Sequence, residues 1–182
     1  MIEINNLVKR YGNTRAVNGI SFTVNDGEVL GFLGPNGAGK STTMNIITGY
    51  LSSTSGSVLV DGHDILEDPV AAKKNIGYLP ELPPLYFDMT VREYLNFVCD
   101  LKKVPSSERK AQINKILSMV HITDYADRLI GNLSKGYKQR VGMAQAMVGD
   151  PKILILDEPT VGLDPTQIQE IRKLIRALAQ NH

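Results

Sequence analysis

The stretch Val29-Leu30-Gly31-Phe32-Leu33-Gly34-Pro35-Asn36-Gly37-Ala38-Gly39-Lys40-Ser41-Thr42 decides the fold. Its opening, Val29 to Leu33, is continuously apolar, the pattern of a strand covered on both faces rather than the alternation of a half-buried one. Gly34 follows, and then a helical stretch that ends at Gly49. A Gly-x4-Gly-Lys-Ser pattern between a buried strand and a helix is that of a phosphate-binding loop. Each part has a physical task. Glycines let successive backbone N–H groups turn inward around a polyphosphate, Lys40 neutralises the outer phosphates, and the Ser41 hydroxyl can ligate Mg²⁺. The helix N-terminus adds the positive end of its dipole. An ordinary glycine-rich turn is the alternative for these letters, and it leaves the combination of strand, loop and helix unexplained.

Outward from this loop, residues 1–62 read mostly as antiparallel strands and turns. Ile2-Glu3-Ile4 and Ile20-Ser21-Phe22-Thr23-Val24 alternate, and Ser57-Val58-Leu59-Val60 runs into the turn Asp61-Gly62. From about residue 90 the character turns helical. Thr90-Val91-Arg92-Glu93 is a capping box, and a second helix is expected over 106–120 with Ile113, Ile116, Leu117 and Val120 on one face. A third is expected from Ser134 to Val148, stopped by Gly149. Ile153-Leu154-Ile155-Leu156 then reads as a second strand buried on both faces, followed by an amphipathic helix carrying Ile168, Ile171, Leu174, Ile175 and Leu178. Pro80, Pro83 and Pro84 separate the strand-rich and helical regions.

Composition bounds the function. The chain has 182 residues, 42% apolar and 21% charged, enough to bury a core, which excludes intrinsic disorder. Its 20 basic residues against 19 acidic give a formal charge of +1, so no nucleic-acid partner is expected. Cys99 is alone, so no internal disulfide can form. No apolar run approaches a membrane span and no leader pattern opens the chain, so a reducing, cytoplasmic setting is expected.

Two further segments carry chemistry. Asp157 and Glu158 follow the strand Ile153–Leu156. A carboxylate at such a strand end can hold Mg²⁺ through water, and a neighbouring one can orient or deprotonate the water that attacks a γ-phosphate. Taken alone the pair is weak evidence, since acidic residues also occupy turns; beside a phosphate loop it acquires a task. Leu133-Ser134-Lys135-Gly136-Tyr137 reads in isolation as a Ser N-cap opening a helix. The same geometry presents a hydroxyl, a glycine backbone and a helix dipole to an anion.

Together the phosphate loop, Leu133-Ser134-Lys135-Gly136-Tyr137, Ile153 through Thr160, and Val161-Gly162-Leu163-Asp164 resemble the ATP-binding cassette (ABC) ATPases, in order and spacing, over nearly the whole chain. The Leu-Ser-x-Gly segment separates that family from small phosphate-loop kinases and GTPases. The resemblance implies an α/β fold: a RecA-like P-loop NTPase core with an antiparallel β subdomain and an inserted helical subdomain. It implies one nucleotide-binding domain over 1–182, with core and β subdomain at 1–82 and 150–182 and the helical subdomain at 83–149. It further implies a head-to-tail dimer in which ATP lies between the phosphate loop of one subunit, Gly34, Asn36, Gly37, Ala38, Gly39, Lys40, Ser41 and Thr42, and Ser134, Lys135 and Gly136 of the other. By position Tyr11 resembles the aromatic that stacks on adenine, with Val17 packing nearby. Glu158 is implied as the catalytic carboxylate, Asp164 as part of the loop linking the two sites, and Ser41, Asp157 and Glu81 as the Mg²⁺ side chains.

This chain departs from the family pattern at three places. Gly77-Tyr78-Leu79-Pro80-Glu81 carries Glu where the family has Gln, which places a negative charge beside the γ-phosphate. Lys135 and Tyr137 replace the Gly and Gln of the usual Leu-Ser-Gly-Gly-Gln. These variations, with Glu81-Leu82-Pro83-Pro84-Leu85-Tyr86, look most like the ATPases of ABC-2 type exporters. Family members also continue past the final helix into a core strand ending in a His that contacts the γ-phosphate. This chain stops at Asn181-His182, so the resemblance implies one incomplete at its C-terminus, with turnover reduced in this form. His63 and His121 lie outside every motif and read as ordinary turn residues. The resemblance therefore implies an ATP-hydrolysing subunit that passes dimer closure to a transmembrane permease and sits peripherally at the cytoplasmic face of the membrane. The alternatives are a non-hydrolysing nucleotide module and a non-transport member of the same family; a small phosphate-loop kinase leaves the Leu-Ser-x-Gly segment unexplained.

Overall fold

The computed structural model describes residues 1–179; Asn181 and His182, where the sequence departs from the family pattern, lie outside them. The chain divides into two compact units, Met1–Ile76 and Gly77–Leu178.

In the first unit, β1 (Ile2–Tyr11) and β2 (Thr14–Val24) form a long antiparallel hairpin, joined by β3 (Ser55–Val60) and the short β4 (His63–Asp64) in the order β2-β1-β3-β4. The alternation of β1 changes phase midway. Ile2 and Ile4 are buried, and so is Leu7. The odd step is taken up by a register irregularity between Ile4 and Leu7, where Asn6 adopts φ 47°, a conformation that Asn tolerates. Between β2 and β3 comes α1 (Lys40–Ile47), which buries Thr43, Ile46 and Ile47; α2 (Pro69–Lys74) follows β4, with Asp68 as its N-cap.

Val29–Leu33, expected as a doubly covered strand, is corrected here. The segment carries no strand, and Val29, Leu30 and Leu33 are 57%, 45% and 94% exposed. An apolar run becomes a strand only where another strand offers its N–H and C=O groups. Among the described residues none pairs with this one. Phe32 alone finds an aromatic neighbour, with its ring 5.6 Å from that of Phe22.

The second unit is mainly helical. It contains α3 (Val91–Leu101), α4 (Ser106–Met119), two short 3₁₀ turns (Thr123–Tyr125 and Ile130–Asn132), α5 (Lys135–Met147) and α6 (Pro165–Leu178), with β5 (Ile76–Leu79) hydrogen-bonded to β6 (Ile153–Leu156). The helices expected over 106–120 and from Ser134 to Val148 appear within a residue of those bounds, α3 opens at the expected Thr90 capping box, and α6 carries the expected amphipathic set. α5 is the central one: Gly136, Gln139, Val141, Gly142, Met143, Ala144, Ala146 and Met147 are all buried. Its glycines and Gly77 of β5 permit close approach. A methyl group at Gly77 would lie 2.0 Å from the Ala146 carbonyl oxygen, and one at Gly142 2.7 Å from Leu79. Tyr94 of α3 donates its hydroxyl to Gln145 of α5 at 2.7 Å, and burial pushes that phenol up to about 12. In β6 only Ile155 is fully buried, so the expectation of a strand covered on both faces is also corrected. The reason is the same: β5 is its only strand partner among the described residues.

Candidate functional site

Within the first unit, the loop preceding α1 is shaped by two left-handed glycines, Gly37 at φ 82° and Gly39 at φ 87°. Gly39 is the N-cap of α1 and supplies no side chain to its free N–H groups, leaving the first turn open to an anion. Close packing dictates the residue as much as φ does. A Cβ at Gly39 would lie 2.3 Å from the Ala16 carbonyl oxygen and 3.3 Å from Val17 Cγ2, so the loop end is pressed onto β2. The structure therefore brings buried Val17 against the glycine-rich loop. Lys40 Nζ donates to the carbonyls of Gly34 at 2.7 Å and Pro35 at 3.0 Å, closing the loop on itself. Ser41 is exposed and Thr42 half-buried. Tyr11 ends β1 half-exposed, paired in register with Thr14, with Lys9 Nζ 5.3 Å from its ring centre.

Within the second unit, the two strand ends meet. The Asp157 N–H donates to the Leu79 carbonyl at 2.8 Å, so Glu81, two residues past Leu79, emerges at the same end of the strand pair as Asp157 and Glu158. Asp157 is only 8% exposed, whereas Glu81 and Glu158 are open to solvent. Burial, and then the Asp157 charge, push the neighbouring Tyr78 hydroxyl above its ordinary pKa. Glu158 holds φ 49°, a strained conformation for a residue with a side chain.

A cleft of about 290 Å³ in the same unit gathers Ser134, Gly136, Tyr137, Arg140, Asp164 and Gln167. Ser134 caps α5, accepting the Tyr137 N–H at 3.4 Å. Gly136 is buried because the Gln167 side chain lies 3.0 Å from where its Cβ would be. The Lys135 ammonium rests over Gly162, occupying the space a side chain there would need. Thus Ser134, Lys135 and Gly136 meet the loop 161–164 some 30 residues later. Sequence reasoning missed the residues that join them. Asp164 accepts the Gln167 N–H at 2.9 Å while Gln167 accepts the Asp164 N–H at 3.4 Å, a reciprocal cap that Asp164-Pro165-Thr166-Gln167 announces by its spacing. Tyr125 has no such local signal. Its ring stacks 4.0 Å from that of Tyr137, and their hydrogen bond is the main cause that raises the Tyr137 phenol. Arg140 ion-pairs with Glu170 and donates to the Val120 carbonyl at 3.1 Å. His63 pairs with Asp68 at 3.2 Å and His121 lies in an exposed turn.

A family model described as ABC transporter matches residues 17–161. Over 181 residues the chain is 40% identical to the uncharacterized ABC transporter ATP-binding protein YxlF of Bacillus subtilis, covering 100% of this chain and 60% of that protein. It is 37% identical to the bacitracin transport ATP-binding protein BcrA of Bacillus licheniformis, covering 99% of this chain and 58% of BcrA. Among solved structures, cbiO1 from Clostridium perfringens, part of the ABC transporter complex cbiONQ, superposes with a TM-score of 0.89 at 33% identity, covering 98% of this chain and 73% of that one. The chain thus spans about three-fifths of the length of the two curated relatives.

Proposed function

The chain belongs to the ABC transporter family, with the P-loop NTPase fold of its ATP-binding cassettes, and from that premise we propose that it is the ATP-hydrolysing subunit of an exporter. The observation that carries the reading is the loop into α1, where left-handed Gly37 and Gly39 deliver uncapped N–H groups beside Lys40. Such a terminus favours a polyphosphate through both its donors and its dipole. Lys40 leaves two neutral carbonyls for charged phosphate oxygens, and charge-assisted bonds are about twice as strong as neutral ones. Gly34, Asn36, Ala38, Ser41 and Thr42 complete the phosphate cradle, with Tyr11 as base platform and Val17 packed at its side.

Mg²⁺ needs only one or two protein oxygens besides phosphate and water, and the Ser41 hydroxyl and the Asp157 carboxylate are donors of that kind, with Glu81 as a further candidate. When bound it would neutralise phosphate charge and template the triphosphate. Glu158 orients the attacking water and takes its proton. Its exposed carboxylate on a strained backbone is free of competing side-chain packing, which suits a group that must meet a substrate water.

Ser134, Lys135 and Gly136 act on the nucleotide held by a second nucleotide-binding domain in a head-to-tail dimer, and Asp164 couples the two sites. The helical subdomain, at 83–149, passes closure to a transmembrane permease, which places the subunit peripherally at the cytoplasmic face; core and β subdomain are 1–82 and 150–182. No helix among the described residues is long and apolar enough to cross a membrane. Export rather than import is supported by the likeness to a linearmycin resistance ATP-binding protein, since resistance is what removal of a toxic compound gives.

The test is phosphate release from Mg-ATP. Glu158→Gln is expected to lower turnover by at least about a hundredfold while ATP binding persists. Equal turnover removes Glu158 from this role, and ATP binding without any phosphate release by the parent chain means a non-hydrolysing nucleotide module instead.

A further inference from the structure

The lysine that backs Tyr11 has a task of its own. Lys9 Nζ donates to the Ser52 carbonyl at 2.7 Å and at the same time sits over the Tyr11 ring, 5.3 Å from its centre. Ser52 belongs to the loop that leaves α1, and that loop is tied to β1 on both sides of Lys9. The Thr54 N–H donates to the Val8 carbonyl at 2.8 Å, and the Arg10 N–H to the Thr54 hydroxyl at 3.0 Å. The ammonium is therefore held by a carbonyl that is itself anchored, rather than waving in solvent. Tyr11, by contrast, ends its strand at the hairpin turn with half its surface exposed.

We infer that Lys9 is a positioning residue for the nucleobase: fixed on the Ser52 carbonyl, its ammonium covers one face of the Tyr11 ring and leaves the opposite face as the platform on which the base stacks. The inference rests on the reading of Tyr11 as that platform. Two physical effects act together. A cation over an aromatic face is attracted by the ring quadrupole, which restrains the ring to one orientation before the base arrives. It also draws electron density away from the open face, which favours stacking by an electron-rich purine. The link through Ser52 further connects the base platform to the loop that leaves the same α1 whose first turn faces the phosphates.

The experiment is calorimetric titration of the full chain with ATP and, as a probe without a base, inorganic tripolyphosphate, each with Mg²⁺. Lys9→Met keeps the aliphatic stem, Lys9→Gln keeps a donor for the Ser52 carbonyl without the charge, and Lys9→Arg keeps the charge. Lys9→Met and Lys9→Gln are expected to weaken ATP about two- to fivefold, with tripolyphosphate affinity and the urea midpoint unchanged and Lys9→Arg restoring the parent value. In a Tyr11→Ala background the Lys9 substitutions are expected to have no further effect on ATP. Equal weakening of ATP and tripolyphosphate would overturn the inference, because it marks a role in folding or in general attraction of anions. Parent-like ATP binding by Lys9→Met and Lys9→Gln, while Tyr11→Ala loses the advantage of ATP over tripolyphosphate, overturns the role of Lys9 alone. If Tyr11→Ala retains that advantage, the assignment of Tyr11 falls and the inference falls with it.

Discussion

Gly39 sits at φ 87° with the Ala16 carbonyl oxygen 2.3 Å from where a Cβ would be, so two independent constraints exclude any side chain. Gly39→Ala is expected to cost about 2 kcal/mol or more, because left-handed strain adds to a clash with backbone that cannot rotate aside. Urea denaturation measures the loss, and ATP titration at a temperature where the variant is folded is expected to show weakened binding. A parent-like urea midpoint would mean that the loop moves off β2 freely. Glu158 shows the opposite economy, with a left-handed conformation kept despite a side chain. Nothing in the letters Asp-Glu reveals that strain, just as nothing in Gly-Lys-Ser reveals that Lys40 turns back onto the Gly34 and Pro35 carbonyls. Motif spacing reports which residues cluster in the chain; the dihedral and the resting partner depend on what the loop is packed against.

At the scale of elements, the start of α3 was readable because a capping box is a contact between residues three apart. Thr90 accepts the Glu93 N–H at 3.2 Å and donates its own N–H to the Glu93 carboxylate at 2.8 Å. Thr90→Ala is expected to cost about 1 kcal/mol in urea unfolding. The backbone and hydroxyl bonds from Thr90 hold the Glu93 carboxyl below its ordinary 4.5. A group whose folded value lies below the unfolded one contributes stability that is fully present above the unfolded value and lost as pH falls through the folded value. The stability gap between the parent and Glu93→Gln is therefore expected to shrink as the solution is acidified from neutral to below the ordinary carboxylate range; a gap independent of pH would remove the charge from the cap's contribution. Strands were less readable than helices. The phase change at Asn5-Asn6 in β1 depends on a bulge against β2 and β3, and whether Val29–Leu33 is covered depends on a strand elsewhere in the chain.

For the molecule as a whole, the proposed head-to-tail pairing requires association driven by nucleotide. With Mg-ATP, Glu158→Gln is expected to shift from monomer towards dimer in a sedimentation concentration series, since blocked hydrolysis preserves the closed state. Adding Ser134→Arg is expected to abolish the dimer while the monomer still binds ATP, because it places a bulky side chain at the mouth of α5. Persistence of the dimer would remove Ser134 from the trans contact. The family was legible from sequence because its evidence is local: a loop whose glycines, lysine and serine are contiguous, a strand ending in Asp157-Glu158, and a Ser-capped helix. Backbone permissiveness, capping and 3.6-residue periodicity act over a few residues, so the letters alone determined the glycine-rich loop, the helices and the order of the motifs. Tertiary structure alone decided which faces are covered and which distant residues meet. The cleft joining Ser134 and Gly136 to Asp164 and Gln167, the Tyr125–Tyr137 stack, and Lys9 spanning from Tyr11 to Ser52 are such meetings. Burial and side-chain contact are properties of pairs brought together by the whole fold, and no single stretch of chain contains both members.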